Sequence, residues 1–178
     1  MKISRNYESF IEAFLKYSGN VGAPRKFLLW SAISGISAAL ERKTWVRYGS
    51  QYIYPNQFIM LVAESGVARK STSVRPINEL LKQIGGVTES TTQFSAASLI
   101  SQLSEAGNSK NFEYLGVTYK NSSLTCISDE ASVTIGEKSG LDGVQMLLTN
   151  LYDCGKIGPW SLQSSWDKKT IGNGQTDV

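Results

Sequence analysis

Apolar positions recur along this chain with two periods, one near 3.6 and one near 2. From Tyr7 to Tyr17 the apolar residues are Tyr7, Phe10, Ile11, Phe14 and Leu15. That spacing, with a charged opposite face, predicts a helix. Gly19-Asn-Val-Gly22 breaks it. A second helix is predicted from Ala23-Pro24, since proline suits a first turn, to about Glu41. Its small residues (Ala32, Ser34, Gly35, Ser37, Ala38 and Ala39) predict close packing against another element. Thr44 to Tyr48 and Gln51 to Tyr54 read as short strands around Gly49-Ser50, a hairpin.

After Pro55-Asn56, the run Phe58 to Val62 is apolar throughout. That is expected of a strand covered on both faces in a parallel sheet. Ser71 to Ile84 fits a helix with Pro76 as a weak point, ended by Gly85-Gly86. Val87 to Thr91 reads as a strand. Ser95 to Ala106 reads as a helix, with Ala96, Leu99, Ile100 and Leu103 on one face. Gly107 to Lys110 is a loop, and Phe112 to Tyr119 is strand-like. Leu124 to Ser128 reads as another buried strand, Gly136 to Gly140 as a loop and Leu141 to Tyr152 as a helix. The segment from Asp153 onward is rich in Gly, Ser, Lys and Trp and reads as a hairpin or irregular. No internal repeat or low-complexity tract is present. Strands alternating with helices predict an α/β layered sheet with right-handed crossovers. The division expected is a helical extension with a short hairpin over 1–54 and a core over 55–178.

Composition narrows the chemistry. At 178 residues, 41% of them hydrophobic, the chain can bury a core. A net charge of +3 permits nucleic-acid contact without arguing for it. Histidine is absent, which excludes a His-based triad or a histidine-containing zinc site within these residues. Cys126 and Cys154 are isolated and have no metal spacing; Cys126 reads as a small buried strand residue. The start, Met1-Lys-Ile-Ser-Arg-Asn, has no signal-peptide pattern. Phe27 to Leu40 is too short and too mixed for a membrane span. A cytoplasmic protein is the expectation, with no membrane partner.

The segment Asn56 to Thr72 carries the strongest chemical signal: an apolar run, a small-residue loop, then Lys70-Ser71-Thr72 opening a helix. This is the layout of a phosphate-binding loop, in which backbone N–H groups and a helix N-terminus face an anion. The strict pattern G-x-x-x-x-G-K-[ST] fails at both glycines, where Glu64 and Arg69 stand, and Gly66 remains. The predicted cradle is Ser65, Gly66, Val67, Ala68, Arg69, Lys70, Ser71 and Thr72. Lys70 reaches the β- and γ-phosphates and Ser71 sits on Mg²⁺. Arg69 could touch phosphate or pair with a carboxylate. Downstream, Leu124-Thr-Cys-Ile-Ser-Asp129-Glu130 ends a strand in two acids. Asp129 is expected to hold the metal through water, and Glu130 to act as general base on the attacking water. ATP and Mg²⁺ are therefore the predicted ligands, and Lys70 and Glu130 the predicted catalytic pair.

Two other readings stay open: a small-molecule or nucleotide kinase, and a non-catalytic interaction module with a degenerate loop. Asp153 reads as a helix C-terminal or turn residue rather than a ligand. Trp160 and Trp166, near Lys156, Lys168 and Lys169, could stack on bases, although hairpin aromatics more often pack.

The residues also resemble a known group, the phage- and mobile-element-associated P-loop ATPases with a DUF3987-type domain, related to the helicase part of primase–helicase proteins. The matching stretches are Leu29-Trp-Ser-Ala-Ile-Ser34, Tyr54-Pro-Asn56, Ser65-Gly-Val-Ala-Arg-Lys-Ser-Thr72, Ser128-Asp-Glu130 and Asn150-Leu-Tyr-Asp-Cys154. The Arg-Lys in place of Gly-Lys is similar to that group's own loop variant. The resemblance implies a RecA/AAA-like P-loop NTPase three-layer sandwich with a mostly parallel sheet. It implies ATP hydrolysis, a homo-oligomeric ring and work on single-stranded DNA. It also implies a sensor strand and an arginine finger that follow later in such cores. Neither has a candidate before Val178, so a partial core is expected over 55–178.

Overall fold

A computed structural model of the chain describes residues 9–49, 51–64, 68–90, 95–109, 111–114, 116–120, 122–128 and 141–152. In chain order these form α1 (Phe10–Tyr17), a 3-10 turn (Gly19–Val21), α2 (Arg25–Leu40), β1 (Val46–Tyr48) and β2 (Gln51–Ile53). Then come α3 (Lys70–Ile84), α4 (Ala96–Ser109), β3 (Asn111–Tyr114), β4 (Val117–Lys120) and α5 (Leu141–Tyr152). The chain divides into two units, one of residues 1–39 with 59–86 and the other of 40–58 with 87–178.

In the first unit, α1 starts where Ser9 Oγ accepts the Glu12 N–H at 3.2 Å, an N-cap bond. The helix turns Phe14 and Leu15 inward. α2 buries Leu28, Ser31, Ala32, Gly35 and Ala38, a stripe of mostly small residues at helical spacing. Its polar members do not go unpaired: the Ser31 hydroxyl donates to Phe27 O at 2.9 Å. Ser18 at the end of α1 donates likewise to Phe14 O at 2.7 Å. Back-bonding of this kind lets a hydroxyl sit in a helix-lined core at little cost. α3 buries Ser73, Pro76, Ile77 and Leu81. Ile77 seats directly against Gly35, in space that any β-carbon at residue 35 would occupy. Glycine inside a helix costs about 1 kcal/mol against alanine. Burying isoleucine contributes about 1.5–3 kcal/mol, so the packing outweighs the propensity loss.

The second unit has its core where Leu99, Ile100 and Leu103 of α4 meet Val144 and Leu147 of α5, with Ala96, Leu124, Leu148 and Leu151 packed around them. β1 and β2 pair antiparallel with Val46 opposite Ile53, Arg47 opposite Tyr52 and Tyr48 opposite Gln51. β3 and β4 pair antiparallel from Asn111 opposite Lys120 to Tyr114 opposite Val117. Gly116, at φ +76°, supplies the left-handed residue their turn requires.

The three-layer, mostly parallel P-loop sandwich expected from the sequence is not the fold found. Among the described residues there are five α-helices and two separate two-stranded antiparallel sheets. Phe58 to Val62, the strand expected to be covered on both faces, belongs to neither. Its residues alternate in exposure: Phe58 is 58%, Met60 65% and Val62 76% exposed, while Ile59 and Leu61 are half-buried. One face is open to solvent, so the uniform apolar run does not mark a doubly covered strand. Of the expected strands Val87 to Thr91 and Leu124 to Ser128, Thr91 lies outside the described residues; among those described, the two segments meet in parallel at one bridge, Glu89 with Thr125. There Thr125 N–H donates to Thr88 O at 2.8 Å and Ser90 N–H to Thr125 O at 2.9 Å. The expected single strand Phe112 to Tyr119 folds back on itself at Gly116. Cys126, expected to be buried, is exposed. α3 continues through Pro76 and α4 runs three residues past Ala106. Among the described residues no helix is long and apolar enough to cross a membrane.

Candidate functional site: the Ala63–Thr72 loop and the start of α3

The expected phosphate loop does precede a helix. Of its predicted residues, Ala68, Arg69, Lys70, Ser71 and Thr72 are described, whereas Ser65, Gly66 and Val67 lie outside the described residues. So do Asp129 and Glu130, and with them the expected metal ligand and general base; the Trp160 and Trp166 region lies outside as well.

Three features define the loop-to-helix junction. First, the Lys70 ammonium donates to Ala63 O at 2.9 Å, reaching back across the whole loop. A flexible lysine otherwise samples solvent, and here it is held to the backbone seven residues earlier. Second, Arg69 stands at the N-cap in a left-handed conformation, φ 45° and ψ 48°. A residue with a β-carbon there costs about 1–2 kcal/mol. This is the position at which the strict motif has its second glycine. Third, the helix start has no side-chain cap. The first intrahelical donation is Ser73 N–H to Arg69 O at 3.1 Å, and the N–H groups of Lys70, Ser71 and Thr72, which precede it, have no intrahelical acceptor among the described residues. The contrast with α1 and α4 is local and clear: Ser9 caps one, and Ser95 Oγ accepts from Ser98 N–H at 3.2 Å in the other.

The described donors suit an anion: three uncapped backbone N–H groups, the positive end of a fifteen-residue helix and the charge of Lys70. Ser71 is exposed in the first turn and Thr72 is half-buried. Ser71 therefore carries the more accessible of the two hydroxyls. Arg69 pairs with no carboxylate among the described residues. Its guanidinium lies against Gly22, where a β-carbon would stand 2.7 Å from Nη1. Gly22 is itself left-handed at φ 69°.

Beside this junction is a cleft of about 340 Å³ lined by Tyr17, Ser18, Val21, Thr72, Arg75, Pro76 and Glu79. That volume is at the low end of the roughly 300–1,000 Å³ typical of ligand sites. Pro76 has no N–H to give the Thr72 carbonyl, so the two ends of a missing helix bond both line the cleft. Sequence reasoning did not single out Ala63, Gly22, Tyr17 or Arg75. Gly22 was legible only as a helix break. The Ala63 carbonyl acts through its backbone and leaves no signal in residue type.

No protein-family model, curated protein or solved structure matches this chain. The resemblance described above rests on its quoted residues alone.

Proposed function

We propose that the loop from Ala63 to Thr72 binds the phosphates of ATP, and that the chain is the Mg²⁺-dependent ATP-binding and ATP-hydrolysing module of a phage-type DNA replication helicase. The observation that carries this reading is the Lys70–Ala63 bond. It holds the lysine charge at the loop that leads into an uncapped helix start, and charge and helix N-terminus both favour an anion. Lys70 binds the β- and γ-phosphates, and the Lys70, Ser71 and Thr72 N–H groups hold their oxygens. Mg²⁺ at Ser71 and Asp129 would neutralise charge that develops on the phosphates. Glu130 takes the proton of the attacking water. The cleft at Tyr17 and Arg75 offers a ring and a guanidinium to the base. Work on single-stranded DNA, a homo-oligomeric ring and a cytoplasmic location in the host cell complete the reading.

Phosphate release measured with Mg²⁺-ATP tests the hydrolytic half. Glu130→Gln is expected to keep nucleotide binding and lose turnover. Turnover equal to the parent removes Glu130 as the base.

A further inference from the structure

We propose that the β1–β2 hairpin is a stacking platform for single-stranded nucleic acid. Residues 42–54 hold three cations (Arg42, Lys43 and Arg47), four aromatics (Trp45, Tyr48, Tyr52 and Tyr54) and no acid. The acid just before them, Glu41, is buried and bonded to Lys43 at 3.0 Å, so it offsets little of the positive surface beyond that lysine. The hairpin is open on both faces. Val46, Arg47, Tyr48, Tyr52 and Ile53 are all exposed, Tyr48 at 74% and Tyr52 at 44%. A two-stranded ribbon this exposed is marginal in water on its own, and clustered exposed apolar side chains mark an interaction surface.

The register determines what that surface fits. Arg47 stands opposite Tyr52, so a cation and a ring share one face of the ribbon. Arg47 Nε donates to Gly49 O at 3.3 Å, which keeps its guanidinium near the hairpin tip. One nucleotide can then lay its base on the Tyr52 ring and its phosphate on Arg47. A second ring–cation pair follows on the same segment, with the Arg42 guanidinium 4.0 Å from the centre of the Tyr54 ring. Rings beside cations, with no acid interspersed, match a polyanion that carries flat bases, and this combination is how single strands are held without sequence preference. A protein partner would need an acidic face of its own, whereas a single strand brings phosphate and base together. The inference does not depend on the ATP site.

Fluorescence anisotropy of the full chain with labelled oligothymidylate and oligouridylate, without nucleotide, tests it. The chain is expected to bind, with affinity falling as salt rises. Tyr52→Ala and Arg47→Ala are each expected to weaken binding roughly tenfold, and Tyr52→Phe to keep it, because stacking needs the ring and not the hydroxyl. The two oligonucleotides distinguish a DNA from an RNA platform. Both side chains are exposed, so the variants are expected to keep the parent's circular dichroism. Binding unchanged in Tyr52→Ala, or Tyr52→Phe losing as much as Tyr52→Ala, overturns the proposal. So does a change in self-association on sedimentation without a change in oligonucleotide affinity, which would make the face a contact between copies.

Discussion

The guanidinium of Arg69 lies over Gly22, so close that a single methyl on residue 22 would stand 2.7 Å from Nη1. Both residues are left-handed, at φ 45° and φ 69°. One is the N-cap of α3 and the other follows the 3-10 turn after α1. The contact therefore ties the start of α3 to the break between the first two helices. Gly22→Ala is expected to cost about 1–2 kcal/mol from its backbone angle alone, and also to displace Arg69. Urea denaturation reads the first effect. A variant as stable as the parent would mean that Gly22 is not held in this conformation.

Arg69→Gly tests the same strain from the other side. It restores the second glycine of the strict phosphate-loop pattern and removes a left-handed β-carbon. The relief is worth about 1–2 kcal/mol. Losing the Arg69 packing on Gly22 offsets part of it, so a net gain of about 1 kcal/mol is expected, with Mg²⁺-ATP affinity kept within a few fold. A loss of ATP binding in this variant would show that the arginine side chain, not the backbone, is what the loop contributes.

Ile77 against Gly35 gives a packing prediction. In Gly35→Ala the new methyl meets Ile77 head-on. Overpacking costs about 1–3 kcal/mol, against a helix-propensity gain of about 1 kcal/mol. Net destabilisation is expected. Ile77→Ala alone is expected to cost about 2–5 kcal/mol by leaving a cavity. In the double variant the new methyl enters that cavity, so the combined cost is expected to fall well below the sum. Simple additivity in a double-mutant cycle would mean that the two residues do not touch.

α1 and α4 were legible because each carries a face: Phe14 and Leu15 in α1, Leu99, Ile100 and Leu103 in α4. The β1–β2 hairpin was legible from Gly49-Ser50 between aromatic runs. The sheet was misread because Phe58-Ile-Met-Leu-Val62 is apolar at every position. Such a run gives no face, and composition cannot tell a doubly buried strand from an extended segment with one side in water. A parallel sheet also needs neighbours, and among the described residues the segments around Glu89 and Thr125 meet at one bridge. At the site, the sequence marked Lys70 and the start of α3 but not what organises them. The Ala63 carbonyl and the backbone angle of Arg69 are properties of the main chain, which residue identity does not encode.

The central claim is that Lys70, held to Ala63 at the uncapped start of α3, is a phosphate-binding lysine. Calorimetric titration of Mg²⁺-ATP into the parent chain and into Lys70→Ala tests it directly. A charge-assisted hydrogen bond is worth about 1.5–3 kcal/mol, so Lys70→Ala is expected to bind at least about tenfold more weakly than the parent. Equal affinity in the two, or no heat of binding in the parent, would contradict the account and leave Lys70 as a strut that closes its own loop.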